Sequence, residues 1–268
     1  MLRKPAVAGQ FYPAHADQLT EMIRGFLDPL GQPAAAIGAV IPHAGYVYSG
    51  HVAGAVYSRV QIPQRLILLC PNHTGYGVPL SIMATGQWQT PLGVLQIDEE
   101  LSEALIASDA SLQDDVMAHR FEHALEVQLP FLQHLAGSEV RFVPITVGTG
   151  SWTQIEALGI AMAEVVAAVD RNILIIASSD MNHYESDGMT RIKDRKAIDC
   201  ILRLDAGALH KTVRDEKISM CGAGPATAML IAANRLGASK AELVKSATSG
   251  DVSKDFDHVV GYAGLIVS

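Results

Sequence analysis

Histidine, cysteine and carboxylate side chains bind transition metals and move protons near neutral pH, and in this sequence several of them follow apolar runs. Ala39-Val40-Ile41 leads into Pro42-His43-Ala44-Gly45-Tyr46, and Leu68-Leu69-Cys70 into Pro71-Asn72-His73-Thr74-Gly75. Ile175-Ile176-Ala177 leads into Ser178-Ser179-Asp180-Met181-Asn182-His183-Tyr184. A single histidine behind a strand is ordinarily a loop residue. Three of them in one topological position point to a shared pocket, provided the strands are neighbours in one sheet. Pro and Gly beside His43 and His73 let the backbone turn sharply there.

A fourth piece is Ser219-Met220-Cys221-Gly222-Ala223-Gly224-Pro225. Cys221 can be read as a packed thiol beside a turn, as a nucleophile with a histidine base, or as a thiolate ligand completing a His-His-Cys set. Its place before a helix starting near Ala223 predicts a depressed thiol pKa. Cys70 and Cys200 sit among apolar neighbours and read as small buried hydrophobes. In Glu122-His123-Ala124-Leu125-Glu126-Val127-Gln128-Leu129-Pro130 the spacing predicts a helix start, with His123 at the edge of a buried stripe and open to the pocket. Asp180 is a candidate for orienting an imidazole, or else a cap. His15, His51, His119, His134, His210 and His258 have no comparable setting and are read as core or surface.

The elements that must position these groups alternate. Short runs rich in Val and Ile predict strands at 37–41, 65–70, 80–84, 140–147, 173–178, 242–247 and 259–266. Amphipathic stretches predict helices at 16–27, 50–58, 99–107, 122–134, 153–169, 191–203 and 223–236. This is the pattern of a single α/β domain with a largely parallel sheet, an α/β/α sandwich. The last two strands are joined too tightly for a crossover helix and are expected to pair antiparallel. In such sheets ligands collect beyond the carboxyl ends of strands, where the histidines fall.

The 268 residues carry 20 Lys and Arg against 28 Asp and Glu, a net charge of −8. That balance argues against general nucleic-acid binding, which needs a basic face. The strand-like apolar runs are far shorter than the ~20 residues of a membrane-spanning helix, and no signal peptide is evident at Met1-Leu2-Arg3-Lys4-Pro5. The expected location is cytoplasmic, with no membrane partner.

Taken together and in order, these segments resemble the Memo family. The resemblance rests on Arg3-Lys4-Pro5-Ala6-Val7-Ala8-Gly9-Gln10-Phe11-Tyr12-Pro13, Pro42 to Gly50, Pro71-Asn72-His73, Glu122 to Pro130, Ser178 to Tyr184, and Cys221 to Pro225. It implies the fold of the class III extradiol dioxygenases, which hold non-haem Fe(II) with two histidines and a carboxylate. By that resemblance His43 and His73 take the two histidine positions, and Cys221 stands where the carboxylate ligand is expected. His183 takes the acid/base position; Asp180 and His123 join it as catalytic candidates on their own placement in the sequence. A thiolate in place of the carboxylate shifts the set toward iron of altered character, copper or zinc. Fe(II) is the leading expectation, and the substrate would be a small molecule or peptide. The resemblance also implies AMMECR-type and radical-SAM proteins as partners in one system. Two other readings stay open: a catalytically inert peptide-binding scaffold, with Tyr46, Tyr48, Tyr184 and Trp88 as contacts, and a metal-free Cys-His hydrolase.

Overall fold

The computed structural model describes residues 1–169 and 172–268. Its strands are β1 (Leu2–Arg3), β2 (Gly38–Ile41), β3 (Arg65–Pro71), β4 (Leu80–Ile82), β5 (Gln87–Thr90), β6 (Gly93–Ile97), β7 (Gln113–Asp114), β8 (Arg141–Val147), β9 (Ile173–Ser178), β10 (His183–Glu185), β11 (Ala241–Thr248) and β12 (Val259–Val267). Its helices are α1 (Ala16–Phe26), α2 (Tyr46–Tyr57), α3 (Glu99–Ser108), α4 (Leu129–Ala136), α5 (Trp152–Val169), α6 (Asp187–Leu202), α7 (Ala206–Asp215), α8 (Ala223–Arg235) and the short α9 (Gly250–Ser253).

All twelve strands join one sheet, in the main order β1-β5-β6-β8-β3-β9-β2-β12-β10. The run β6, β8, β3, β9, β2 is parallel throughout. As expected, β11 and β12 pair antiparallel, although β12 also pairs with β2 and lies inside the sheet.

Side chains of the central strands alternate between two cores, as a period of two requires. Ile67, Leu69, Val143, Ile145, Ile173 and Ile175 face one side with α5 and α8 residues such as Leu158, Met162 and Met229. Leu66, Leu68, Phe142, Leu174 and Ile176 face the other side with Leu19, Val56, Phe131 and Leu132. Helices cover both faces, giving the α/β/α sandwich. The 18-residue α5 is long and apolar enough to cross a membrane; here Ile155, Leu158, Met162 and Val166 are buried in the core.

Several boundaries depart from expectation. The segment from Glu122 is not helical at its start: a 3₁₀ turn covers Glu126–Gln128, and α4 begins at Leu129. The reason is that the Glu122 carboxylate accepts from His73 N and Ala124 N, which fixes an irregular loop. Helix α2 starts four residues early, at Tyr46 behind Gly45, and α6 starts at Asp187. The β5–β6 hairpin and α7 carry weaker apolar patterns and went unread.

Topology explains why the histidines meet. Both β2 and β3 pair with β9, so three adjacent carboxyl ends deliver His43, His73 and the Ser178–His183 segment to one edge.

Candidate metal centre

His43 follows β2 and His73 follows β3, each by two residues. His123 reaches the same place from the loop ahead of α4. One nitrogen from each of the three lies within 4.8 Å of the others. Ring centroids are 5.2 Å apart for His43 and His73, 5.6 Å for His43 and His123, and 4.8 Å for His73 and His123.

Each ring is turned by its neighbours. Ser178 Oγ donates to the Ala124 carbonyl at 2.7 Å and accepts from Gln128 Nε2 at 2.9 Å. Its proton is therefore committed, and its 3.0 Å contact with His43 Nδ1 requires that nitrogen to be the donor. That leaves His43 Nε2 as a bare lone pair. Gln128 is itself fixed, donating to the Pro42 carbonyl and accepting from Tyr57. Glu122 does the same for His73: Oε1 accepts from Nδ1 at 2.9 Å, while Oε2 accepts from the His73 backbone N–H at 2.6 Å. The same carboxylate lies 3.5 Å from His123 Nδ1. A carboxylate or hydroxyl behind an imidazole is the usual way a metal-ligating histidine is held in one tautomer.

Electrostatics agree. Burial, then the neighbouring His123 and His73, holds His43 well below its ordinary pKa. Burial likewise lowers His123. For His73 burial is outweighed by the bond to Glu122, and its pKa is raised. Burial pushes the Glu122 carboxyl up, but the bonds from His73 and Ala124 outweigh it and bring it down to about 2. Glu122 is thus an anion paired with His73, whose hold on a proton it strengthens.

Cys221 Sγ lies 3.3 Å from His43 Nε2 and 3.6 Å from the Asp180 carbonyl. Its helix-end location predicts a lowered pKa; burial and the nearby Asp180 charge instead raise it. A dipole at a helix end is worth less than removal from water. As drawn, the pair is a neutral thiol beside a neutral imidazole.

Asp180 orients no imidazole. Its Oδ1 accepts from the backbone N–H groups of His43 at 2.8 Å and Ala44 at 3.3 Å, so it fixes the loop that carries His43. Burial raises its pKa despite those bonds. His183, half-buried on β10, donates from Nδ1 to the Ser219 carbonyl at 2.8 Å, because a carbonyl can only accept. Its Nε2 lone pair is left unprotonated in the neutral ring. His183 follows β9 into the same sheet edge but lies outside the close trio. Of the aromatic contacts considered, Tyr46 and Trp88 are buried at 2% and 0% exposure, whereas Tyr48 and Tyr184 are exposed. Cys70 and Cys200 are buried free thiols.

Sequence reasoning missed Glu122, Ser178, Gln128 and Ser219 as supporting residues. Glu122 adjoins His123, and that adjacency was the available signal; reading the segment as a helix hid it.

The donor set fits a transition ion. Bonds of about 2.0–2.1 Å put two nitrogens on one ion no more than about 4.2 Å apart, so three nitrogens within 4.8 Å of one another could close on a common ion with a small shift of the rings. The three histidines could hold an ion; Cys221, expected as the third ligand, touches His43 Nε2 but lies outside this group of three.

The family model for Memo-like protein matches residues 3–266. A MEMO1 family protein of Methanopyrus kandleri is 43% identical over 279 residues, covering 99% of each chain. One from Methanosarcina barkeri is 42% identical, covering 99% of this chain and 100% of the relative. One from Pyrobaculum arsenaticum is 40% identical, covering 99% and 98%.

Proposed function

This chain belongs to the Memo-like protein family, and on that footing we propose that it is a metal-dependent redox protein acting on a small molecule or peptide. The observation that carries the reading is the hydrogen-bonding behind His43 and His73, which occupies Nδ1 of each ring and leaves Nε2 for the shared site, where His43 Nε2 meets the Cys221 thiol at 3.3 Å. His43 and His73 are the ligands in this reading. His123, expected among the catalytic groups, joins them on geometry, and the Cys221 thiolate completes the set from the His43 side.

An iron or copper ion held there supplies Lewis acidity and one-electron chemistry. The chain's own residues do the rest. Glu122 and Ser178 hold the ligand rings in one tautomer. Toward a bound cation the three imidazoles would act as neutral donors, His73 giving up its Nε2 proton, with Glu122 supplying compensating negative charge behind it. Asp180 keeps the His43 loop in place. His183, outside the trio and held by Ser219, accepts or donates a proton at Nε2. Cys221 would bind as the thiolate, because a cation would offset the burial that keeps it a thiol in the free site.

The test is anaerobic purification followed by elemental analysis and Fe(II), Cu(I) and Zn(II) titration. About one ion per chain, bound with release of a proton, supports the reading. Absence of binding above that of the His43→Ala variant removes it.

A second reading is favoured by the 3.3 Å Cys221–His43 contact, which is the spacing of a nucleophile and its base. In that case Cys221 reacts with iodoacetamide near neutral pH in metal-free protein. The neutral, buried state of both groups argues for slow reaction, and a fast one would favour the hydrolase.

A further inference from the structure

Just past His183 the backbone leaves regular geometry. Tyr184 has φ 63°, in the left-handed region that a bulky side chain rarely adopts, and the β10–β12 register shifts between His183 and Glu185. Such backbone persists where its surroundings over-determine it. The residue that ties this stretch down is Asn182, fully buried and with no part in the centre described above.

All four hydrogen-bonding positions of the Asn182 amide are taken. Oδ1 accepts from Ser219 N and from Ser219 Oγ, both at 3.1 Å. Nδ2 donates to Glu185 Oε2 at 2.7 Å and to Thr190 Oγ1 at 3.3 Å. The amide cannot be reversed, because a backbone N–H only donates and a carboxylate only accepts. The bond to Glu185 closes a loop across His183 and Tyr184, and Lys193 in turn holds Glu185 at 2.8 Å.

The Asn182 backbone is held as firmly. Its N–H donates to Asp194 Oδ1 at 2.8 Å, and its carbonyl accepts from Gly261 N at 2.8 Å. Asp194 is buried on α6, and its other carboxylate oxygen lies against Gly261, where any Cβ would collide with it. Ser219, fixed by Asn182, then grips His183 twice. Its Oγ accepts from His183 N at 2.7 Å, and its carbonyl accepts from His183 Nδ1 at 2.8 Å.

We propose that Asn182 is the positioning residue of His183, with Asp194 as its anchor: together they set Ser219, which keeps the proton of the neutral ring on Nδ1 and leaves Nε2 free. This role rests on the reading of His183 as the proton carrier, while the bonds themselves need no metal. Asp194 offers Asn182 an oxygen as acid or as carboxylate, and an asparagine in its place would offer the same.

The test uses the full chain, metal-free and labelled with nitrogen-15 at histidine, and reads the ring nitrogens by NMR at about pH 8.5, above the ordinary imidazole range. The His183 signals are assigned by their loss in His183→Gln. Nδ1 is protonated and Nε2 bare in the wild type and in Asp194→Asn. In Asn182→Ala and Asp194→Ala the two His183 nitrogens move toward the average of exchanging tautomers, while those of His43 and His73 stay in place, which a general loosening of the fold would not allow. Ser219→Ala, at an exposed position, keeps the fold and speeds hydrogen exchange of the His183 amide about tenfold, the range of one net hydrogen bond. A wild-type ring protonated at Nε2, an unmoved His183 in the alanine variants at 182 and 194, or unchanged amide exchange in Ser219→Ala would each overturn the role. The wild-type spectrum and Ser219→Ala decide it even where the buried alanine variants do not fold. All these readings are taken without metal, so they stand or fall separately from ion binding at the centre.

Discussion

Glu122→Gln changes one atom in shape and removes one charge, at the point where the fold and the candidate centre meet. The carboxylate accepts from His73 N at 2.6 Å, His73 Nδ1 at 2.9 Å and Ala124 N at 3.0 Å. An amide has one oxygen to offer, so one of these donors would face an NH₂ group instead. The fall of the carboxyl pKa from 4.5 to about 2 measures how much the site prefers the anion. At 1.36 kcal/mol per pH unit this is on the order of 3 kcal/mol. The variant should lose about 2–3 kcal/mol of stability at pH 7. Because this pKa is depressed, the wild-type advantage is full above pH ~4.5 and is lost as pH falls toward about 2. Wild type and variant should therefore converge in acid. Metal affinity should fall about 10- to 100-fold, since the carboxylate sets the His73 ring. Urea unfolding at pH 7 and pH 3 and competitive zinc titration measure both. A variant with wild-type stability and wild-type affinity would refute the role given to Glu122.

Three further outcomes follow from the same contacts. Arg3→Met leaves Glu126 buried without its cation and should cost about 3–5 kcal/mol, a drop of roughly 10 °C in Tm by calorimetry; a loss below ~1 kcal/mol would contradict it. Asp194 is raised by burial to about 7 while accepting from Asn182 N at 2.8 Å. The native state binds that proton more tightly, so stability falls as pH rises from about 4 to 7, by on the order of 2–4 kcal/mol. Asp194→Asn should flatten that slope in urea unfolding at pH 4.5, 6 and 7.5, and an unchanged slope would exclude Asp194 as its source. Gly222→Ala places a Cβ against Ser179 and the Ser178 carbonyl, and overpacking should cost about 1–3 kcal/mol and displace Cys221. Unchanged stability and thiol reactivity would count against it.

The central layer of the fold was legible because β3, β8 and β9 are unbroken apolar runs, and such runs behave as strands buried on both faces. The pocket was legible for a related reason: a strand end followed by Pro-His or Pro-Asn-His places the ring at the sheet edge whatever surrounds it. The roles of the supporting groups were not legible. Asp180 lies three residues before His183, which suggested a local partnership, yet its carboxylate bonds the backbone of His43, 137 positions away in sequence. Glu122 read as a helix-starting acid because helix propensity is local, whereas its bond to His73 spans 49 positions. The Cys221 thiol illustrates the same limit, since a local dipole argument predicted the direction that burial reverses.

The proposed centre depends on which side chains would hold an ion. Metal stoichiometry of wild type and of the His43→Ala, His73→Ala, His123→Ala, Cys221→Ser and His183→Ala variants, prepared under identical anaerobic conditions, tests it directly. His43→Ala and His73→Ala should lose the ion, His123→Ala and Cys221→Ser should bind it at least about tenfold more weakly, and His183→Ala should keep it at full stoichiometry. If His43→Ala and His73→Ala retain the ion, or His183→Ala loses it as completely as they do, the assignment of ligands and proton carrier is wrong.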